Sequence, residues 1–188
     1  LPHVVKRTVK ITGINQIIPR FVFSILPVMW IDTHCHLDAP EFAGQESRIA
    51  RDAEKTGIRQ IVIPSIKSAS FGQVAALAHT CNNCSYALGI HPIYVADSSE
   101  NDLEILDKAL EKGMADPRLV AIGEIGLDFY IPELARSPLR EKQEHFLEVQ
   151  LKKMRNFIFI ILQYVIWNRM KKPANTGWGS RCLILARH

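Results

Sequence analysis

Two histidines one residue apart, with an aspartate shortly before and another shortly after, close a short apolar run: Trp30 to Asp38 reads WIDTHCHLD. In a strand, alternate side chains share a face. Asp32, His34 and His36 then point one way, and Ile31, Thr33, Cys35 and Leu37 the other. Two imidazoles so placed can both reach one cation at about 2.0–2.2 Å. A neighbouring carboxylate such as Asp32 can hold a histidine's second N–H and fix its tautomer. The stretch is therefore half a site for zinc or a similar divalent ion. A second element, AIGEIGLD (121–128), sets Glu124 in an otherwise apolar run. A carboxylate there is costly unless it is paired or bound to a metal. Gly123 and Gly126 leave room for close approach, and Asp128 shares the face of Glu124. A third element, GIHP (89–92), ends another short apolar segment on His91.

The elements that must position these groups follow in a regular order from Met29. WIDTHCHLD reads as a strand. Residues 45–57 read as a helix closed by Gly57 at C′. Residues 58–66, IRQIVIPSI, are an apolar β-branched run and so a buried strand. Residues 70–80 form a small-residue helix, and 86–92 a short strand. Residues 101–113 form an amphipathic helix with Leu103, Leu106 and Leu110 on one stripe, preceded by the polar loop DSSE (97–100) as its cap. Residues 119–128 are another buried strand. Residues 137–154 read as a helix with Ser137 as N-cap and Pro138 at N1. Strands apolar on both faces and separated by helices imply a parallel sheet. The fold class is α/β, and four βα units amount to half of a TIM-like (β/α)8 barrel. An open doubly wound sheet is the alternative, but no glycine-rich phosphate loop follows the first strand.

Charge divides the chain into three parts. All 19 acidic residues lie between Asp32 and Glu148. Residues 1–28 carry four Lys/Arg and no acid, and residues 151–188 carry eight Lys/Arg and no acid. The middle has a net charge of −8, so the basic pI comes from the flanks. The middle reads as an ordinary acidic domain of the reducing cytosol, with no disulfide framework in its cysteines. Residues 1–28 are expected to be an upstream extension, with Met29 as the natural start, rather than a signal peptide: Pro19, Arg20 and Pro27 interrupt their apolar run. The tail run Phe157–Trp167 is too short to span a bilayer, and no membrane association is expected.

WIDTHCHLD, GIHP and AIGEIGLD, in this order and spacing and together with the helix KQEHFLEVQLK, resemble the TatD family of metal-dependent deoxyribonucleases, within the amidohydrolase-like barrels. The resemblance runs from Met29 to about Leu151. It implies a barrel with a two-metal site that hydrolyses DNA phosphodiester bonds, the ions being zinc, magnesium or manganese. His34 and His36 would be ligands of one metal, and Glu124, the catalytic carboxylate, would bridge two. His91 matches the family's histidine near the barrel mouth and is expected to contact a substrate phosphate. Asp32 and Asp128 match family positions and are expected to support the ligands from behind. Metals that neutralise phosphate remove the need for a basic protein, which fits the acidic middle.

The same resemblance calls for histidines ending a fifth and a sixth strand and an aspartate ending an eighth, the last being the expected proton acceptor. The fifth strand would fall near FIFIILQ (157–163), with Gln163 about where a histidine is expected, but beyond Leu151 the family pattern is not continued. Residues 152–188 read as an out-of-frame tail. The expectation is then a domain at 29–151 that retains at most one metal, has weak or absent nuclease activity and self-associates through exposed sheet edges. Alternatives are a non-catalytic product that binds one metal, or an amidohydrolase-type enzyme acting on small amides or lactones. Cys81 and Cys84 have zinc-knuckle spacing, CNNC, but no partner pair, and read as ordinary loop cysteines. Cys35 reads as a core thiol, and His3, His79 and His145 as surface or packing residues.

Overall fold

Strand and helix alternate through the part of the chain that the computed structural model describes, which is residues 30–153 together with the backbone of two strands at 159–165 and 182–186. The strands are β1 (Trp30–Asp32), β2 (Ile58–Pro64), β3 (Cys84–Leu88), β4 (Leu119–Asp128), β5 (Phe159–Val165) and β6 (Cys182–Ala186). The helices are α1 (Glu46–Lys55), α2 (Phe71–Thr80), α3 (Glu100–Gly113) and α4 (Leu139–Lys152). The six strands form one sheet in sequence order. β1 to β5 are mutually parallel, and β6 runs antiparallel to β5. The parallel βα arrangement is as the apolar pattern predicts. β5 falls about where the fifth strand is expected, near residues 157–163, whereas the antiparallel β6 goes beyond that reading. The other calls on the tail and all those on residues 1–28 lie outside the described residues.

The core lies between the sheet and its helices. Ile61, Ile63, Leu88 and Ile122 from the strands meet Val74 of α2, Leu106 of α3 and Phe146 of α4 in one buried cluster. Every residue of β3 is buried, as expected of a parallel strand covered on both faces. Leu103, Leu106 and Leu110 form the buried stripe of α3. Cys81 and Cys84 are buried members of the same cluster. Burial first, then the neighbouring Cys81, pushes the Cys84 thiol up to about 12, as packing in an apolar cluster does to a thiol. At the edge of the described sheet, Trp30 and Ile31 of β1 are 63% and 61% exposed.

Two local differences from the sequence reading have physical causes, and one local expectation is met. The β1 ladder ends at Asp32, because the Asp32 carboxylate accepts the backbone N–H of His34 at 3.1 Å and competes with the next ladder bond. Helix α4 begins at Leu139, two residues after Ser137. The Ser137 hydroxyl donates to the Glu141 carboxylate at 2.6 Å instead of capping the backbone. Helix α1 stops where Gly57 takes a φ of +100°, with its N–H on the Glu54 carbonyl, as the C′ glycine predicts.

The DSSE loop does cap α3. The Ser99 N–H donates to the Asp102 carboxylate at 2.8 Å, and the Ser68 hydroxyl donates to its other oxygen. Asp102 therefore ties the start of α3 to the turn after β2. The hydrogen bond from Ser68, followed by those from Ser99, holds the Asp102 carboxyl below the usual aspartate range. A folded-state pKa below the unfolded one contributes stability that is present above the unfolded value and lost as pH falls through the folded value. Urea unfolding followed from pH 6 to pH 2 should show an acid limb that flattens in Asp102→Ala, a change that costs about 1–2 kcal/mol at neutral pH.

Candidate metal centre

His34 and His36 leave the end of β1, His91 follows β3, and Glu124 sits within β4. The β4–β5 register shifts between Gly123 and Ile125, so Glu124 is the residue at a bulge. A bulge re-aims one side chain without ending the strand. The Glu124 N–H reaches across to the Ser65 carbonyl at 3.1 Å, and the Ser65 hydroxyl both donates to and accepts from Gly89. The chain after β2 thus pins both β4 and the start of the His91 loop. Gly89 makes this closeness possible: a Cβ there would stand 2.7 Å from the Gly123 carbonyl carbon. The room that Gly123 offers is filled by the backbone of Gly89.

The three expected ligands converge. The His34 and His36 Nε2 atoms are 3.3 Å apart. His34 Nε2 lies 3.4 Å from Glu124 Oε1, and His36 Nε2 lies 3.0 Å from Oε2. A tetrahedral ion with bonds of about 2.0–2.1 Å separates its ligands by roughly 3.3 Å, so these spacings are those of neighbours around one cation. Glu124 is 1% exposed. Despite the approach of His36, its Oε2 is buried without a hydrogen-bond partner. Buried polar atoms are otherwise almost always satisfied, and a cation would satisfy this one. Burial pushes the His34 pKa down against the pull of Glu124. The Asp38 carboxylate first, and Glu124 second, hold His36 up at about 9.

Asp38 is the member of this cluster that sequence reasoning left without a role. Its Oδ1 lies 3.8 Å from His36 Nδ1, too far for a hydrogen bond, and is buried without a hydrogen-bond partner. Its signal is legible in retrospect, since 32, 34, 36 and 38 share one parity. Asp38→Asn should weaken divalent-metal affinity by about 10–100-fold, read by competition with a chromophoric chelator. Asp32 supports the stretch through the His34 backbone. Asp128 is placed differently from the expectation: its carboxylate accepts the N–H groups of Tyr130 and Ile131 at 2.7 and 3.1 Å, and so shapes the loop after β4. That short loop needs its amides satisfied, and Asp128 is the nearest acceptor.

His91 Nε2 lies 3.8 Å from Glu124 Oε1, and its Nδ1 accepts the Ile93 N–H at 3.0 Å. A neutral ring with Nδ1 as acceptor carries its proton on Nε2, so the atom near Glu124 is a donor. Helix α4 holds this loop through a buried glutamine. Gln150 accepts from Ile90 N at 2.7 Å and donates to Ile90 O at 3.2 Å. Gln143, one heptad earlier, does the same work for Asp128 N and Leu134 O. Two glutamines flanking Phe146 at helical spacing are the overlooked signal. The cavity in front of the cluster, about 630 Å³, is lined by His34, His36, Glu124 and His91 with Lys67 and Tyr94 among others.

A parallel βα sheet with a His-x-His pair and a buried glutamate converging at one cavity is half of a TIM-like barrel with a candidate divalent-metal site at the strand ends. The profile of the family described as TatD related DNase matches residues 31–158, and the chain belongs to that family. It is 39% identical over 123 residues to the uncharacterized metal-dependent hydrolase YjjV of Escherichia coli K12, covering 65% of this chain and 45% of that one. It is 32% identical over 134 residues to the human deoxyribonuclease TATDN3, covering 67% of this chain and 48% of that one. The crystal structure of E. coli YjjV superposes with a TM-score of 0.63 at 35% identity, over 72% of this chain and 50% of that one. The chain spans about half the length of the relatives it matches. No helix among the described residues is long and apolar enough to cross a membrane.

Proposed function

We propose that this chain carries the metal-binding half of a hydrolase that cleaves DNA phosphodiester bonds in the reducing cytosol. The observation that carries the proposal is the convergence of His34, His36 and Glu124, whose ligand atoms all lie within 4.8 Å of one another. These three residues would hold a divalent ion of the zinc, magnesium or manganese class. Such an ion, when bound, neutralises phosphate charge and polarises a phosphoryl oxygen. Glu124, with its two oxygens facing different neighbours, is the group suited to bridge to a second ion, which would need ligands beyond the described residues. His91 presents an Nε2–H to a phosphate oxygen, and its Nδ1 bond to Ile93 keeps that proton in place. Asp38 holds the His36 ring toward the cluster by charge. The burial of Glu124 strengthens its part in these interactions.

The test is metal content by mass spectrometry together with hydrolysis of single-stranded DNA, with and without chelator. The expected result is bound divalent metal and a weak hydrolysis that chelation abolishes and His34→Ala removes. Turnover that persists in both conditions would overturn the reading. A second reading is favoured by the three ligand residues gathered among the described residues, enough for one ion: a single-cation binder without turnover. Metal bound in equimolar amount, with no cleavage of DNA under any condition, would decide for it.

A further inference from the structure

The geometry points to Lys67 and Tyr94 as a subsite for a second phosphate, one that flanks the scissile group of a polynucleotide strand. This rests on the phosphodiesterase reading for its substrate class. Lys67 lies on the cavity that His34, His36 and Glu124 share. It is the only lysine or arginine among the described residues lining that cavity. Lys55, Lys108, Lys152 and Lys153 each lie within 4.0 Å of a carboxylate, whereas Lys67 makes no ion pair among the described residues. Its ammonium instead stands 5.6 Å from the centroid of the Tyr94 ring. Such a cation–π contact orients the charge while leaving its donors open.

Tyr94 in turn packs edge-on against His91, with ring centroids 6.2 Å apart at 71°. The turn Pro92–Asp97 carries Tyr94 only three residues after His91. One short segment therefore sets both the imidazole beside Glu124 and the aromatic ring that holds the lysine. The cavity lining thus holds two kinds of group: carboxylates and imidazoles for a cation and the reacting phosphate, and one positive charge beside an aromatic face. A mononucleotide or a small ester engages only the first kind. A strand with a neighbouring phosphate engages both, and Lys67 acts as a specificity-determining residue for chain length.

The experiment measures anisotropy of a short single-stranded oligodeoxynucleotide against salt for the wild type, Lys67→Met, Tyr94→Leu and Tyr94→Phe. It is paired with steady-state hydrolysis of the same oligonucleotide and of bis(p-nitrophenyl) phosphate, which has a single phosphate. Lys67→Met should bind the oligonucleotide about tenfold more weakly and lower the slope of log affinity against log salt by about 0.7. It should raise KM for the oligonucleotide with kcat unchanged, and leave the small diester untouched. Tyr94→Leu should move the same readouts in the same direction, and Tyr94→Phe should restore them. Metal-dependent hydrolysis with an unaltered slope and KM in Lys67→Met would overturn the subsite alone. A reduced slope in a chain that hydrolyses neither ester would support the subsite and overturn the activity.

Discussion

Glutamine in place of Glu124 is expected to weaken binding of zinc or manganese by about a hundredfold or more, while the melting temperature of the metal-free protein shifts by no more than about 4 °C. The two halves of this prediction have different origins. A metal ligand contributes at least as much as the groups that orient it, whose loss alone costs 10–100-fold in affinity. The metal-free protein, in contrast, holds Glu124 at 1% exposure with Oε2 lacking a hydrogen bond. Its attraction to His36 is offset by the penalty for burying the charge, and glutamine keeps the shape of the side chain without that charge. The imidazole can also release its proton once the carboxylate is gone, so no stranded charge remains. Calorimetric titration and scanning calorimetry with and without metal check both halves. Wild-type protein at one hundred times its dissociation constant gains about 2.7 kcal/mol from the ion, or roughly 5–10 °C at this size. Glu124→Gln should show almost none of that gain. A variant that loses 10 °C without metal and still binds it normally would assign Glu124 to the fold instead of the site.

Gly89→Ala is expected to cost about 3 kcal/mol or more and to lower the melting temperature by roughly 6–12 °C. The added carbon would stand 2.7 Å from the Gly123 carbonyl carbon, and 2.9 Å from both the Gly123 Cα and the Glu124 carbonyl oxygen. All three are backbone atoms, which no rotamer change can move aside. Relief requires β3 and β4 to part where Ser65 bonds to both Gly89 and Glu124. Glu124 then leaves its position opposite the histidine pair, so metal affinity should fall along with stability. Gly72→Ala is the control: nothing lies within 4 Å of its added carbon, and in helix α2 the change should be neutral or stabilising by up to about 1 kcal/mol. Equal melting temperatures for the two variants would show that β3 and β4 do not pack as closely as described.

What could be read from the sequence were the local and periodic features. The span of β4 was legible to the residue, because ten consecutive residues with only two acids, one of them at the end, have few other solutions. The C′ role of Gly57 and the cap before α3 were legible for the same reason: each is decided within a turn of chain. The His-x-His pair survived an error in its context. The strand was expected to run through both histidines, yet it stops at Asp32, and alternation still brings both rings to Glu124. The features that escaped depend on contacts distant in sequence. Gln150 meets Ile90 across 60 residues, and Ser65 meets Gly89 across 24. Lys67 gains meaning only from the Tyr94 ring above which it stands. Asp128 was grouped with Glu124 by strand parity, but the bulge at Glu124 breaks that parity, and the nearby loop amides claim its carboxylate.

The most direct measurement is X-ray absorption at the zinc edge of protein carrying one equivalent of the ion. Two imidazole nitrogens and a carboxylate oxygen at about 2.0–2.1 Å are predicted, with the imidazole outer-shell scattering lost in the His34→Ala, His36→Ala double variant. An ion that keeps the same ligand set in that variant would contradict the account.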